Sequence, residues 1–139
     1  MDRSSVQGWL DRYVAAWKSY DRAEIESLFA SEATYRYHPY DAEDEIVRGR
    51  DAIVSDWVEP DGAASTRDAA GTYDARYEPY AVDGDRAVAI GSSKYWTDES
   101  RSTLEKTYDN VFLLRFDDDG RCLEFTEYFM KRPDGRSRL

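Results

Sequence analysis

Two polar side chains interrupt an otherwise apolar stretch near the end of the chain, YDNVFLLRFDDDGRCLEFTEYFM at residues 108–130. A tight turn at residues 117–120 would fold this stretch into a β-hairpin, because Gly120 can adopt the positive φ that closes such a turn. Side chains alternate between the two faces of a strand, so Asn110 and Glu127 would lie opposite each other on the apolar face. The same register pairs Phe116 with Arg121, Leu114 with Leu123, Phe112 with Phe125 and Tyr108 with Phe129. The hairpin therefore predicts a lined pocket that holds one amide and one acid.

Glu127 is the first candidate for catalysis. A carboxylate is costly to bury without a partner or a task, and an apolar wall raises its pKa toward the range that suits a general acid or base. Asn110 would orient Glu127 or bind a substrate carbonyl. The alternative is structural: the two side chains satisfy each other across the strands, or Glu127 pairs with Lys94 or an arginine.

Three more side chains could take part in proton transfer. His38 is the only histidine, and its unperturbed pKa lies near neutrality, so it could shuttle protons at the rim of the pocket. Strict alternation with Tyr35 and Tyr37 turns His38 outward, however, unless the strand bulges. The hydroxyl groups of Tyr13 and Tyr37 could polarise a carbonyl as an oxyanion hole does, or could belong to an aromatic core.

The remaining pocket walls are predicted from the aromatic content of the chain. The proposed lining consists of Trp17, Tyr35, Tyr37, Trp57, Phe112 and Phe125. The acidic runs at residues 41–45 and 117–119 lack the ligand spacing of a calcium loop, and no histidine cluster is present, so no metal site is expected. No phosphate-binding glycine motif or Ser–His–Asp pattern appears either, so no cofactor is expected. Cys122 falls on the mixed face of the hairpin as an inert thiol.

Helices that would position these residues follow from the spacing of apolar side chains. Trp9, Tyr13 and Trp17 recur every four residues, which is typical of one face of a helix. The predicted helices cover residues 6–19, 22–29 and 50–57, with Ser4 or Ser5 capping the first and Asp21 capping the second. Residues 40–48 and 63–71 are predicted to be loops.

Strands occupy most of the second half of the chain. The predicted strands cover residues 33–38, 72–80 and 86–97, followed by the two strands of the final hairpin. Residues 132–139 form a polar tail that is expected to fray. The order is two helices, one strand, a third helix and then four antiparallel strands, which predicts a single α+β domain over residues 1–139 whose curved sheet cups a cavity.

The composition and charge of the chain argue against several classes of binding partner. The chain has 139 residues and a formal charge of −10, which argues against binding to nucleic acid or to anionic membrane surfaces. No apolar run is long enough to span a bilayer, and no signal-like segment follows Met1. The single cysteine excludes an internal disulfide. A cytoplasmic protein with a small-molecule ligand is the expectation.

The order of these elements, with several short motifs, resembles the nuclear transport factor 2-like superfamily and its SnoaL-like branch. The motifs are YVAAW at residues 13–17, LFA at 28–30, RGRDAI at 48–53, AVDGD at 81–85 and FDDDGR at 116–121. The resemblance implies an α+β cone, in which a curved antiparallel sheet wraps around the helices and encloses a pocket. It leaves the function open, because this fold hosts isomerases, dehydratases, cyclases, hydrolases and non-catalytic binders.

Ketosteroid isomerase is the nearest catalytic comparison that the resemblance offers. Tyr13 matches its oxyanion tyrosine, but Tyr37 and His38 precede Pro39 where the isomerase has its aspartate base, and Phe112 stands where it has a protonated aspartate. The isomerase assignment therefore fails residue by residue. The Arg–Asp arrangement of epoxide hydrolases and the paired histidines of scytalone dehydratase cannot be placed in this chain either.

Two functions remain open from the sequence. In the first, the protein is a cofactor-free enzyme that performs acid–base chemistry on a small hydrophobic or aromatic compound. In the second, it is a ligand-binding or accessory domain without turnover. Apolar side chains on the outer face of the hairpin also predict a homodimer through that face. They are Val111, Leu113, Tyr128 and Met130.

Overall fold

A computed structural model describes residues 1–59 and 68–136 of the chain. The helices are α1 (Arg3–Ser19), α2 (Arg22–Leu28) and α3 (Arg50–Val58), with a 3₁₀ turn at Asp134–Arg136. The strands are β1 (Phe29–Arg36), β2 (Val47–Arg48), β3 (Tyr73–Asp83), β4 (Arg86–Trp96), β5 (Leu104–Phe116) and β6 (Cys122–Lys131). Most of the predicted loop at residues 63–71 and the end of the predicted tail lie outside the described residues.

Local sequence fixes where the first two helices begin. Asp2 caps α1, where its side chain accepts a hydrogen bond from the backbone N–H of Ser5 while the Ser5 hydroxyl bonds the backbone of Asp2. The cap predicted at Ser4 or Ser5 was therefore two or three residues too late. Asp21 caps α2 as predicted, by accepting from the backbone N–H of Glu24.

The six strands form one open sheet in the order β2-β1-β6-β5-β4-β3. All neighbouring strands run antiparallel except β1 and β6, which are parallel. The helices cover one face, where α1 packs against the sheet through Trp9, Leu10 and Tyr13. The predicted α+β architecture, with a curved sheet around N-terminal helices, is confirmed.

The predicted register of the final hairpin is wrong. Phe112 pairs with Glu127 rather than with Phe125, and Asn110 pairs with Phe129. The loop is one residue longer than predicted, since Phe116 pairs with Cys122, and a bulge follows between Phe116 and Arg115. Together they move the register by two residues, which keeps the inward side chains on the inward face.

Cys122 lies on the face opposite to the one predicted for it. It was predicted on the mixed face, away from the apolar wall, but it is 0% exposed in the core beside Phe116. Burial raises the pKa of the Cys122 thiol well above its ordinary value. Its environment is therefore that of an unreactive core thiol.

Gly91 lets two strands approach closely beneath the site. It pairs with Tyr77 on one side and with Asn110 on the other. A Cβ atom at position 91 would clash with the carbonyl oxygen of Arg76 and lie 2.5 Å from Cδ1 of Tyr77. The absence of a side chain therefore allows the Tyr77 ring to lie across β4 and pack against Phe112, with ring centroids 4.6 Å apart.

Candidate active site

A cavity of about 260 Å³ lies between α1 and the inward face of the sheet. Its walls are tyrosine-rich and come from α1 and from every long strand. The lining residues are Tyr13, Trp17, Tyr35, Tyr37, Asp68, Tyr73, Tyr77, Ser93, Tyr95, Lys106, Tyr108, Asn110, Glu127 and Phe129. Such a mixture of aromatic surface with a few polar groups is typical of a small-molecule site.

Three side chains form a hydrogen-bonded chain on the sheet side of this cavity. The Ser93 hydroxyl donates to Oδ1 of Asn110 over 3.1 Å, and Nδ2 of Asn110 donates to Oε2 of Glu127 over 2.7 Å. Because the serine occupies the amide oxygen, the amide nitrogen must face the carboxyl group. The arrangement fixes one oxygen of Glu127, and no hydrogen bond to the other oxygen is found among the described residues, while the residue lines the cavity.

Burial sets the protonation of Glu127. Its removal from solvent raises the pKa of Glu127 to about 7, and the hydrogen bond from Asn110 opposes part of that rise. No ion pair involves Glu127 among the residues that the structure describes. The carboxyl group is therefore poised to exchange a proton near neutral pH, which is the property that general acid–base catalysis requires.

Tyr13 and Tyr35 form a hydroxyl pair deeper in the cavity. Their oxygens lie 3.1 Å apart, and both residues are almost fully buried. Burial raises the pKa of Tyr13 and of Tyr35 well above the ordinary value, and the nearby charge of Glu127 adds to both shifts. Both tyrosines thus stay protonated and can act as hydrogen-bond donors to a bound carbonyl.

Tyr37 reaches the cavity wall from the end of β1. Its hydroxyl donates to Oδ2 of Asp56 on α3 over 2.6 Å. Burial raises the pKa of Tyr37 far above its ordinary value, and the Asp56 hydrogen bond reinforces the shift. Because the Tyr37 hydroxyl already donates to Asp56, Tyr37 forms part of the cavity wall and has no O–H donor left for a ligand.

Three aromatic residues predicted to line the pocket lie beneath it instead. Trp57, Phe112 and Phe125 are each 0 or 1% exposed and belong to the core cluster. Phe125 stacks on Tyr35 with ring centroids 4.2 Å apart. They fix the positions of the tyrosines that form the walls, among them Tyr13, which also packs against all three.

His38 lies just beyond the end of β1 and faces a groove on the outer side of the sheet. Its Nδ1 is 2.9 Å from Oδ1 of Asp41, and its ring stacks on Tyr40. It lines an open groove of about 930 Å³ on the outer face, together with Tyr128 and Met130. His38 is therefore not a lining residue of the cavity that holds Glu127, although its ring lies 5.4 Å from that of Phe129, which lines both the groove and the cavity.

Comparison with known proteins identifies the family. The model of the SnoaL-like domain matches residues 10–125. The chain belongs to the SnoaL-like family. Among curated proteins, none matches significantly.

Two solved structures show the same fold as this SnoaL-like chain. An NTF2-like protein of unknown function from Mesorhizobium loti is 25% identical, with a TM-score of 0.61 and coverage of 94% of this chain and 95% of that protein. An LEH-like epoxide hydrolase from M. tuberculosis is 11% identical, with a TM-score of 0.60 and coverage of 92% and 84%. The second likeness shows the fold alone.

Several cavity residues of this SnoaL-like domain escaped sequence reasoning. They are Asp68, Tyr73, Tyr77, Ser93, Tyr95, Lys106, Tyr108 and Phe129. The predicted alternation already grouped Tyr73 with Tyr77, Ser93 with Tyr95, and Tyr108 with Phe129 on common faces. Lys106 precedes the hairpin as it was predicted, so its orientation was not predicted. Asp68 had no such signal, since it precedes β3 in a stretch without periodicity.

The described residues contain neither a cluster of metal-ligating side chains nor a membrane-spanning helix. Across residues 1–59 and 68–136, no group of three or more His, Cys, Asp or Glu side chains is placed to hold a metal ion. No helix within that part of the chain is long and apolar enough to cross a membrane.

Proposed function

We propose that this SnoaL-like protein is a cofactor-independent enzyme that moves a proton on a small hydrophobic or aromatic carbonyl compound. The observation that carries the proposal is the state of Glu127, whose pKa is raised to about 7 by burial and which has no ion-pair partner among the described residues. A carboxylate held by lysine or arginine would be a poor base at neutral pH. A desolvated carboxyl held only by an amide is a competent one.

The proposed reaction begins when the free oxygen of Glu127 removes a proton from the carbon next to a carbonyl group. The C–H bond breaks, its electron pair forms the enolate, and the carboxylate becomes a carboxylic acid. Glu127 then returns the proton to the same carbon or to a conjugated one, which regenerates the carboxylate. Return to a different carbon gives an isomerised product.

Tyr13 is proposed to stabilise the charge that develops on the enolate oxygen. Its hydroxyl lies in the cavity and is paired with the Tyr35 hydroxyl, so one of the two tyrosines can donate to the substrate while it accepts from the other. Asn110 is proposed to hold Glu127 in a productive orientation through the 2.7 Å hydrogen bond. His38 has no step in this scheme, because it lines the outer groove.

Hydrogen–deuterium exchange tests the proposal directly. Phenylacetone and phenylpyruvate each carry a CH₂ group between a ring and a ketone, and NMR in D₂O reports the loss of those protons. Wild-type protein should accelerate the exchange of at least one compound, and Glu127→Gln should abolish the acceleration. Glu124→Gln is the matched control, since Glu124 lies on the same strand but is exposed and paired with Arg115.

Binding without acceleration would support the alternative, a ligand-binding domain without turnover. In that case phenylacetone or phenylpyruvate would give equal affinity for wild type and Glu127→Gln, with exchange at the solvent rate in both. If wild type and Glu127→Gln accelerated the exchange equally, the protein would still act as an enzyme, but Glu127 would not be its base.

We also propose that two copies associate through the outer face of the sheet. Leu113, Tyr128 and Met130 on that face are 41, 44 and 74% exposed. Tyr128 and Met130 line the outer groove, and Leu113 lines a second, smaller depression. Apolar side chains exposed together favour a partner surface. Light scattering at micromolar concentration should give a dimer mass for wild type and a monomer mass for Leu113→Glu, and a monomeric wild type would refute the association.

A further inference from the structure

Lys106 is an unusual cation because of the face on which it lies. It shares the inward face of β5 with Tyr108 and Asn110, as the alternation of the strand requires, and it lines the cavity. Charged side chains in a sheet with one covered face normally point to the uncovered side. The position of this ammonium group therefore points to a role in binding the ligand that enters the cavity.

The contacts of Lys106 are aromatic. Its Nζ lies 5.0 Å from the ring centroid of Tyr95 and 5.6 Å from that of Tyr108. No carboxylate among the described residues comes within 4.0 Å of this ammonium group. Cation–π contact holds the ammonium group in place without neutralising its charge.

Asp68 is the acidic residue of the cavity on which the charge of Lys106 acts. Asp68 lies close enough for the charge of Lys106 to act on it, but its carboxyl group is hydrogen-bonded by Trp17 and Tyr20. Those bonds hold Asp68 against α1 and its C-terminal end. Because these donors are neutral, Asp68 offsets part of the charge of Lys106, but the two groups form no ion pair within 4.0 Å among the described residues. The ammonium group is therefore still able to bind the carboxylate of a ligand.

Lys106 and Glu127 line the same cavity from different positions along the sheet. Glu127 contacts Asn110, which is four residues along β5 from Lys106, a separation of about 13 Å between Cα atoms at the usual strand rise. Among the described residues, no cation contributes to the electrostatic environment that sets the protonation of Glu127. Most of the other lining residues are tyrosine, tryptophan and phenylalanine.

We propose that the substrate is a small single-ring aromatic carboxylate, whose carboxylate is bound by Lys106 while its reacting carbon lies beside Glu127. The inference rests on the proposed function only in taking this cavity as the substrate site. A monoanion is favoured over a phosphate, because a single lysine beside the carboxyl group of Asp68 offers little compensation for a second negative charge. The cavity volume of about 260 Å³ suits one ring with a short side chain.

Binding of matched compounds tests the inference separately from catalysis. Calorimetry with the Glu127→Gln protein compares phenylpyruvate with phenylacetone, and 4-hydroxycinnamate with its amide, so that no turnover interferes. The carboxylate of each pair should bind about five- to tenfold more tightly, as one partly screened ion pair allows. Lys106→Met should remove that preference, whereas Lys94→Met should keep it, because Lys94 lies on the outer face of the adjacent strand.

Several results would overturn the inference. They are equal affinity within both pairs, no binding of any of the four compounds at millimolar concentration, or tighter binding of phenethylamine or phenyl phosphate than of the carboxylates. The two proposals fail independently. A carboxylate preference that depends on Lys106 without accelerated deuterium exchange would count against the proposed catalysis alone, and accelerated exchange of phenylacetone with no carboxylate preference would count against Lys106 alone.

Discussion

Asn110 donates a 2.7 Å hydrogen bond to Glu127 across a diagonal of the β5–β6 ladder, since the two residues are not directly paired. Asn110 pairs with Phe129, and Glu127 pairs with Phe112. Diagonal neighbours on one face of an antiparallel pair remain within reach of longer side chains, and a glutamate spans the gap. The contact therefore depends on the inward orientation of both residues and on the length of Glu127.

The first prediction concerns the protonation of Glu127. Carbon-13 NMR of glutamate carboxyl groups should show Glu127 titrating with a pKa of about 7, with the signal assigned by its loss in Glu127→Gln. Asn110→Ala should raise this pKa further, because a donor that favours the charged form is removed. Ser93→Ala should raise it less, since the amide remains but is free to rotate. A Glu127 signal that titrates in the ordinary range would contradict the burial on which the proposed function depends.

The second prediction follows from linkage between protonation and folding. The unfolded chain releases the Glu127 proton near pH 4.5, whereas the folded protein holds it until about pH 7. The folded state therefore binds more protons between these values, and this group lowers the free energy of unfolding as pH rises through that window. Glu127→Gln should be about 3 kcal/mol more stable than wild type at pH 8 and nearly equal at pH 4.

Urea unfolding at several pH values measures this difference. Glu124→Gln serves as the control, because it removes an exposed partner of Arg115 and should not produce the same pH-dependent gain. Parallel stability curves for wild type and Glu127→Gln would show that Glu127 is not perturbed in the folded state.

The fold was predictable where local signals decide it. Trp9 and Tyr13 recur at helical spacing and are buried as that spacing predicts, and Asp21 is a cap that needs only the residues around it. The hairpin register was not predictable in the same way. The Asp117 side chain accepts hydrogen bonds from the backbone N–H groups of Asp119 and Arg121, and these bonds shape a longer loop that the four-residue turn signal does not encode.

The candidate site was only partly predictable for a related reason. Glu127 and Asn110 kept their inward orientation because a shift of two residues preserves the alternation of faces. Lys106 could not be recognised, since a lysine at an inward position looks the same in the sequence as one that the strand turns outward. Trp57 was assigned to the pocket because hydrophobicity alone does not distinguish a wall from the layer beneath it.

The third prediction compares two buried tryptophans. Trp9 and Trp57 are both 0% exposed, but Nε1 of Trp9 donates to the carbonyl oxygen of Leu28 over 2.9 Å, whereas Nε1 of Trp57 has no hydrogen-bond partner among the described residues. Replacement by phenylalanine removes similar volume at each site. Trp9→Phe also leaves a buried carbonyl unpaired, so it should cost about 1 kcal/mol more than Trp57→Phe. Equal losses in thermal or urea unfolding would contradict the difference in hydrogen bonding.

The fourth prediction concerns Gly91, which brings Tyr77 close to the strand that carries Ser93. A methyl group at position 91 would overlap the Arg76 carbonyl oxygen and the Tyr77 ring, and both are held by the β3–β4 ladder. Gly91→Ala should therefore destabilise the protein by about 2–3 kcal/mol, the range for overpacking a rigid site.

Gly8 is the matched control for this substitution, because it lies on the exposed side of α1 with no heavy atom within 4 Å of an added Cβ. Gly8→Ala should stabilise the protein by about 1 kcal/mol, since alanine is the better helix former. Urea unfolding of the two variants measures both changes. The Tyr77 ring lines the cavity, so Gly91→Ala should also weaken binding of phenylacetone or phenylpyruvate, whereas Gly8→Ala should leave it unchanged. A Gly91→Ala protein as stable as wild type would show that β3 can move away from β4, and the close approach would then not be what fixes this wall of the cavity.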